Sequence, residues 1–338
     1  MQTCFEATCC EYTGKDKSQC NAVCPHKNDF ADWLADTGGL RFDDTPSFHQ
    51  PEFDLPLYVP VIDHASRRLA HFSWPVVSLN TSRVLGMRRG DACGFGAVAE
   101  TPSDLRHAFR VTPESRVIMC GIGKDHRLEP YWENRLVADA PNQLAKLEID
   151  AAIGPNFSHF LGVPRTDNLF NRRRQLLCLD ELLRAGVPII PHLNAVMPED
   201  WRFWRDLLAQ NPSLRVVAVE FQTGNKNPVQ GRKAIDNLAA IQRQINRPLH
   251  PVIVGGGQFV EHVAVRFSTF TLMDSTPFAK ALRRQYFDGS AGKSRWCQGF
   301  RLLGQDVDEY LLRNVTGYSN WIRERVDVAR SSVCASDE

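Results

Sequence analysis

Long hydrophobic runs are missing from this chain. No apolar stretch approaches the roughly 20 residues that a membrane-spanning helix needs, so no membrane association is expected. Net charge is nearly missing as well: 40 Lys and Arg against 39 Asp and Glu leave +1. That excludes a protein that coats nucleic acid through overall positive charge, while a local basic face stays open. The N-terminus has neither the basic stretch nor the apolar core of a secretory signal, so a cytoplasmic protein is expected. Internal repeats and low-complexity tracts are absent. With 43% apolar and 23% charged residues over 338 positions, wholesale disorder is excluded.

Cysteine is what the chain has in excess. Five of its ten cysteines, Cys4, Cys9, Cys10, Cys20 and Cys24, fall within the first 24 residues. A secreted disulfide scaffold is small and evenly studded, whereas this is a large chain with a cysteine-dense head. The pattern points to a metal site in a reducing compartment. Thiolates are soft, charged ligands suited to zinc or an iron–sulfur cluster. The paired Cys-x2-Cys spacing of zinc modules is missing, and proline follows Cys24, as it follows the last cysteine of bacterial ferredoxin-type runs. An iron–sulfur cluster is therefore placed ahead of zinc on Cys4, Cys9, Cys20 and Cys24. Cys9 and Cys10 compete for one position, and His26 is a further candidate. Free or disulfide-bonded cysteines are the plain alternative.

Residues 1–56 read as this head plus irregular chain, marked by Gly38-Gly39, Pro46, Pro51 and Pro56. From residue 57 a rhythm begins. Apolar runs at 57–62, 75–79, 116–122, 146–150, 187–193, 215–221, 251–255 and 268–273 have the continuous character of strands buried on both faces. Helical patterns alternate with them at 168–185, 198–209, 232–245 and 277–287. Eight strands with helical crossovers predict an α/β fold, a (β/α)8 barrel over 57–290, with a helical extension over 291–338. An open, doubly wound parallel sheet is the alternative.

In a barrel, the residues just after each strand line the active face. They form a polar set: Asp150 with Ser158, His192 with Asn194, Glu220 with Gln222, the run Gly255, Gly256 and Gly257, and Asp274. Each has a plainer explanation too. Asp274 also fits a cap for the helix starting at Pro277, His192 a core histidine, and the glycines a tight turn. Basic residues cluster in two places. Arg172, Arg173 and Arg174 read best as a solvated helix face. Lys280, Arg283, Arg284, Lys293 and Arg295 interleave with Trp296 and suit a nucleic-acid backbone.

Two resemblances add to this. The stretch Ile153-Gly-Pro-Asn-Phe-Ser158, with Ala185-Gly-Val-Pro-Ile-Ile-Pro191, resembles a domain of unknown function widespread in bacteria and phages, over about residues 146–260. It implies no activity. The order of strand-end motifs resembles tRNA-guanine transglycosylases and their DNA-modifying relatives. Asp150 with Gly154, Phe157 and Ser158 stands for the early aspartate motif, Gln222 and Gly224 for the base-reading pair, Gly255–Gly257 for the glycine-rich strand end, and Asp274 for the late aspartate. The resemblance implies exchange of guanine for a 7-deazaguanine in nucleic acid, DNA more than RNA. Asp274 would be the nucleophile, Asp150 the acid/base, and Gln222 with the Gly255–Gly257 backbone would hold the base. The zinc site that follows the barrel in that family has no counterpart, since residues 290–338 hold only Cys297 and Cys334. An iron–sulfur barrel enzyme acting on a small molecule, and a non-enzymatic nucleic-acid-binding protein, are the other two expectations.

Overall fold

The computed structural model describes residues 20–45, 47–64, 67–87, 96–289, 295–299 and 307–334. Eight strands, β1 (Tyr58–Ile62), β2 (Val76–Asn80), β3 (Arg116–Cys120), β4 (Ala151–Ile153), β5 (Ile189–Ile190), β6 (Val216–Glu220), β7 (His250–Val254) and β8 (Thr271–Asp274), form one parallel sheet. Its order is β5-β4-β3-β2-β1-β8-β7-β6. The two ends meet in a parallel bridge between His192 and Ala218, so the sheet curls into a barrel.

The join between β5 and β6 has a local cause. Pro188 and Pro191 flank β5 and offer no N–H to a ladder. Above them, Leu193 N donates to Ala218 O at 2.8 Å and Ala218 N donates to Pro191 O at 2.9 Å. Below, the Gln50 side chain replaces the missing pairing. Its Nε2 donates to Ile189 O at 3.0 Å and Val216 O at 2.9 Å, and its Oε1 accepts from Arg215 N at 2.9 Å and Val216 N at 2.8 Å. The irregular segment before β1 is thus built into the barrel.

Inward-facing Val59, Val76, Ile118, Ile190, Val216, Val252 and Met273 fill the barrel, with Phe53 and Leu55 packed against them from the segment before β1. Every second residue is turned outward to a larger layer of helices, as strand alternation requires. That layer comprises α1 (Phe30–Ala35), α2 (Thr81–Val84), α3 (Pro102–Phe109), α4 (Asp125–Asn134), α5 (Ala140–Lys146), α6 (Arg165–Arg184), α7 (Pro198–Gln210), α8 (Pro228–Gln244), α9 (Val260–Ala264), α10 (Thr276–Leu282) and α11 (Val307–Cys334). Asparagine caps start two of them. Asn80 Oδ1 accepts from Ser82 N at 3.1 Å, and Asn227 Oδ1 accepts from Val229 N at 3.0 Å. Helix α11 buries Leu311, Val315, Tyr318, Ile322 and Val326 against α9, α10 and β1. The expected C-terminal extension is therefore part of the barrel's outer wall. A short hairpin, β9 (Gln285–Asp288) with β10 (Arg295–Gln298), packs beside it. Among the described residues no helix is long and apolar enough to cross a membrane.

Two expectations change. The run 146–150 is not a strand: Lys146 ends α5, Glu148 turns at φ 48°, and the strand is Ala151–Ile153. Leu144, Leu147 and Ile149 mimic a buried strand because all three face the outer core. Arg172, Arg173 and Arg174 are not a solvated face, being 2%, 6% and 4% exposed. Each of the three guanidiniums meets a different acid, and Asp200 is also bound by Arg165. Arg172 donates to Asp200 at 2.6 Å, Arg173 grips Asp44 at 2.8 and 2.9 Å, and Arg174 grips Glu129 at 2.5 and 3.1 Å. Aromatic faces cover two of them: Phe203 lies 4.6 Å from Arg172 and Phe157 lies 4.1 Å from Arg174.

Candidate active site at the carboxyl ends of the strands

The aliphatic barrel interior becomes polar at its carboxyl end. On β6, Val216 and Ala218 face inward, and the next residue in that row is Glu220, 8% exposed. Its Oε1 accepts from Gln222 N and its Oε2 accepts from Thr223 Oγ1 at 2.9 Å. The strand thus ends in a turn wrapped around its own carboxylate. Cys120 ends the inward row of β3. Burial pushes its thiol up to about 11, and the charge of Glu220 adds to the shift. A thiol so raised is a poor nucleophile at neutral pH.

Gln222 is exposed at the lip, and its side chain lies across Gly255 of the β7 end. A Cβ at Gly255 would stand 2.7 Å from Gln222 Cγ. Gly255 and Gly256 both take left-handed backbone, φ 74° and 76°, which glycine adopts without strain. Gly257 adjoins the Tyr318 hydroxyl of α11. The structure therefore brings Glu220, Gln222 and Gly255–Gly257 together on two adjacent strands.

The two expected catalytic aspartates are not brought together. Asp150 precedes β4, so it lies at the amino ends of the strands. Its Oδ2 accepts from Val117 N at 2.7 Å, and its own N–H donates to Val117 O at 2.9 Å. The misplaced strand at 146–150 caused this error. Asp274 does end β8, but Met273 fills the inward position. The Asp274 carboxylate turns outward, accepting from Thr276 N at 2.8 Å, Thr276 Oγ1 at 2.7 Å and Tyr318 O–H at 3.2 Å. That is a cap at the start of α10 tied to α11. Because Met273 and not Asp274 holds the inward position, this geometry gives no support to a nucleophile there.

The ends of β4 and β5 carry the remaining expected residues. Ser158 Oγ donates to Asp125 Oδ1 at 2.7 Å, and Asn194 Nδ2 donates to Phe157 O at 2.7 Å. His192 is 2% exposed, and burial drives its imidazole down to about 3, against a smaller opposing effect of Asn194. Beside it are groups that sequence reasoning missed. His159 is also driven down to about 3, by burial first and by the Arg172 charge second. Asp200 Oδ1 accepts from Arg165 and Arg172, at 2.6 Å each, while its Oδ2 accepts the amides of Val196 and Met197 at 2.9 Å each. Its carboxyl is held well below the ordinary range, the opposing burial penalty being outweighed mainly by Arg172. The Pro198-Glu199-Asp200 triplet signals a helix start, and nothing in that signal marks Asp200 as the partner of two distant arginines.

Cys24 is buried and Cys20 partly so. Cys4 and Cys9 lie outside the described residues. Among the described residues no group of three or more Cys, His, Asp or Glu side chains is placed to hold a metal ion. Cys20 borders a cleft of about 610 Å³ with Trp33, Asp125, Glu129, Ser158 and Asp167. Of the expected basic patch, Lys280 sits 5.7 Å above the Trp296 ring, Arg283 and Arg295 are exposed, and Arg284 is partly buried. Lys293 lies outside the described residues.

No known family profile and no curated protein matches the sequence. Among solved structures, the chain is similar to the carboxyl transferase domain of Rhizobium etli pyruvate carboxylase, at 14% identity and a TM-score of 0.33, over 67% of this chain and 36% of that one. A structure of the same domain with pyruvate gives 15% identity and a TM-score of 0.34, over 76% and 40%. The chain thus spans well under half the length of these solved relatives, and at this level the likeness carries no functional argument.

Proposed function

We propose that the chain is a barrel enzyme that binds a purine-type nucleobase at the carboxyl-end mouth. In this reading Glu220 handles the proton of the bound base, while Gln222 and the Gly255–Gly257 backbone meet its hydrogen-bonding edge. The reaction class is exchange of guanine for a 7-deazaguanine in nucleic acid, with no nucleophile assigned. The observation that carries the reading is the convergence of a buried carboxylate, an exposed amide and a side-chain-free backbone at the ends of β6 and β7. Such a set has donors and acceptors for a flat heterocycle. Lys280, Arg283 and Arg295 supply phosphate contacts beside the neighbouring β8 end, and DNA is the favoured polymer.

Calorimetric titration of the native chain with free guanine and 7-deazaguanine tests this. Saturable binding is expected, weakened about 10-fold or more in Glu220→Gln, the loss of about 1.4 kcal/mol that one charge-assisted hydrogen bond supplies. Gln222→Ala should weaken binding less, because its amide is solvent-exposed in the free protein. Absence of binding to both bases, or equal binding by Glu220→Gln, would remove the proposal.

A further inference from the structure

A cleft of about 610 Å³ lies between α4, the first turns of α6, residues 20–23 and α1. Sites for small molecules occupy roughly 300–1,000 Å³, so this one is large enough for a ligand. Its walls combine two chemistries. Trp33, Phe160 and Phe170 are aromatic, and Trp33 meets Phe170 edge-on at 5.7 Å. Phe160 is 51% exposed, which leaves its ring open to a ligand. Asp125, Glu129, Glu133 and Asp167 are acidic.

The acids are ordered along the cleft. Asp125, Glu129 and Glu133 recur at every fourth position of α4, which puts them on one helix face. Asp125 and Glu133 therefore stand about 12 Å apart along the helix axis. Like charges at this spacing repel, so the stripe weakens its own helix until cations meet it. Cations of the protein do little of this. The Arg174 guanidinium in the wall is bound to Glu129 at 2.5 and 3.1 Å. Lys27 reaches the rim, donating to Cys20 O at 2.9 Å, and is paired with Asp29 at 3.5 Å. Asp125 uses Oδ1 for Ser158, and Glu133 has no hydrogen bond or ion pair among the described residues. Burial lifts the Asp167 carboxyl above its ordinary range against the Val23 N–H and Arg174, and the charges of Glu129 and Asp125 add to the lift.

We propose that this cleft binds a linear polyamine, its ammonium groups on Asp125 and Glu133 and its carbon chain against Trp33 and Phe160. Ammonium N–H groups donate to carboxylates, and their charge is attracted to aromatic faces. The methylene segments between them gain from contact with the rings. Among the described residues no three Asp, Glu, Cys or His side chains are placed to hold a metal ion, which favours an extended organic cation over a bare one. A span of about 12 Å suits a triamine, whereas a short diamine reaches one of the two acids at a time. The cleft shares no residue with Glu220, Gln222 or Gly255–Gly257, and it stands whether or not a nucleobase binds there.

The test is calorimetric titration of the full chain with spermidine, and in a parallel arm with 1,4-diaminobutane, at constant ionic strength held with sodium chloride. Saturable binding at one site is expected, with spermidine about 3-fold tighter or more, the value of a second exposed ion pair. Glu133→Gln should weaken spermidine binding about 3-fold, and Asp125→Asn/Glu133→Gln about 10-fold. Both substitutions keep the side chain's size, and the amide oxygen of the first still accepts from Ser158. Glu114→Gln removes an exposed acid outside the cleft and should leave the affinity unchanged. Three results would overturn the proposal: no saturable spermidine binding, equal affinity for the diamine, or an affinity that the double variant leaves unchanged. A loss in Glu114→Gln as large as in Glu133→Gln would overturn it too, since it would mark diffuse attraction to surface acids.

Discussion

Burial decides which side chains of this barrel can gain a proton near neutral pH. His159 and His192 are held down to about 3 and His250 to about 4, in each case by desolvation first. The unfolded chain has ordinary histidines near pH 6.5, so below that pH it takes up protons that the native state refuses. Each such group costs ~1.4 kcal/mol per pH unit between its unfolded and folded values. Urea unfolding should therefore show stability falling from about pH 6.5 towards pH 4. In His192→Phe the fall should be shallower. A wild-type stability that is flat over this range would mean these imidazoles are solvated. Cys120 is shifted the opposite way, up to about 11, and should resist iodoacetamide in the native state while reacting freely in urea.

At the scale of elements, the weak seam is β5–β6, where two prolines leave a two-residue strand and Gln50 supplies the pairing. Gln50→Leu strands Ile189 O, Val216 O, Arg215 N and Val216 N in a buried position. It should cost about 2–4 kcal/mol, read as a lower urea midpoint with little change in slope. A cost below about 0.5 kcal/mol would show that water takes over the role. The cysteine head is the other element with a measurable claim. We propose that Cys4, Cys9, Cys20 and Cys24 bind an iron–sulfur cluster or zinc, the cluster being favoured. Metal analysis of anaerobically purified chain should find iron with matching sulfide, lost in the double variant Cys20→Ser/Cys24→Ser; metal-free native chain would end the claim.

Seven of the eight strands were legible as apolar runs, because strands buried on both faces need continuous apolar sequence, and the exception is β4. The slip at 146–150 came from a helix end whose Leu144, Leu147 and Ile149 are as buried as a strand's residues. That one slip moved Asp150 from the amino end to the wrong rim. Glu220, Gln222 and Gly255–Gly257 were readable because a strand's last residue and the turn after it are adjacent in sequence. The Arg165–Arg172–Asp200 group was not, since its members meet only through folding of α6 against α7. Likewise Arg172–Arg174 looked like a surface run because their acids, Asp200, Asp44 and Glu129, lie far away in the chain.

For the whole molecule, near-zero net charge implies weak long-range attraction for a polyanion. For DNA binding we propose the local set Lys280, Arg283 and Arg295 on the β8 side. With about three phosphate contacts, log affinity should fall with log salt at a slope near −2.7. The double variant Arg283→Ala/Arg295→Ala should flatten that slope by about two units. A slope unaffected by the variant would place the contacts elsewhere. We propose that the working face is the carboxyl-end mouth at β6 and β7. Hydrogen–deuterium exchange with and without saturating guanine tests it most directly. The expected result is added protection over 220–225 and 255–258 and none over 147–150. Protection centred on Asp150 and Val117, with 220–225 unchanged, would contradict it.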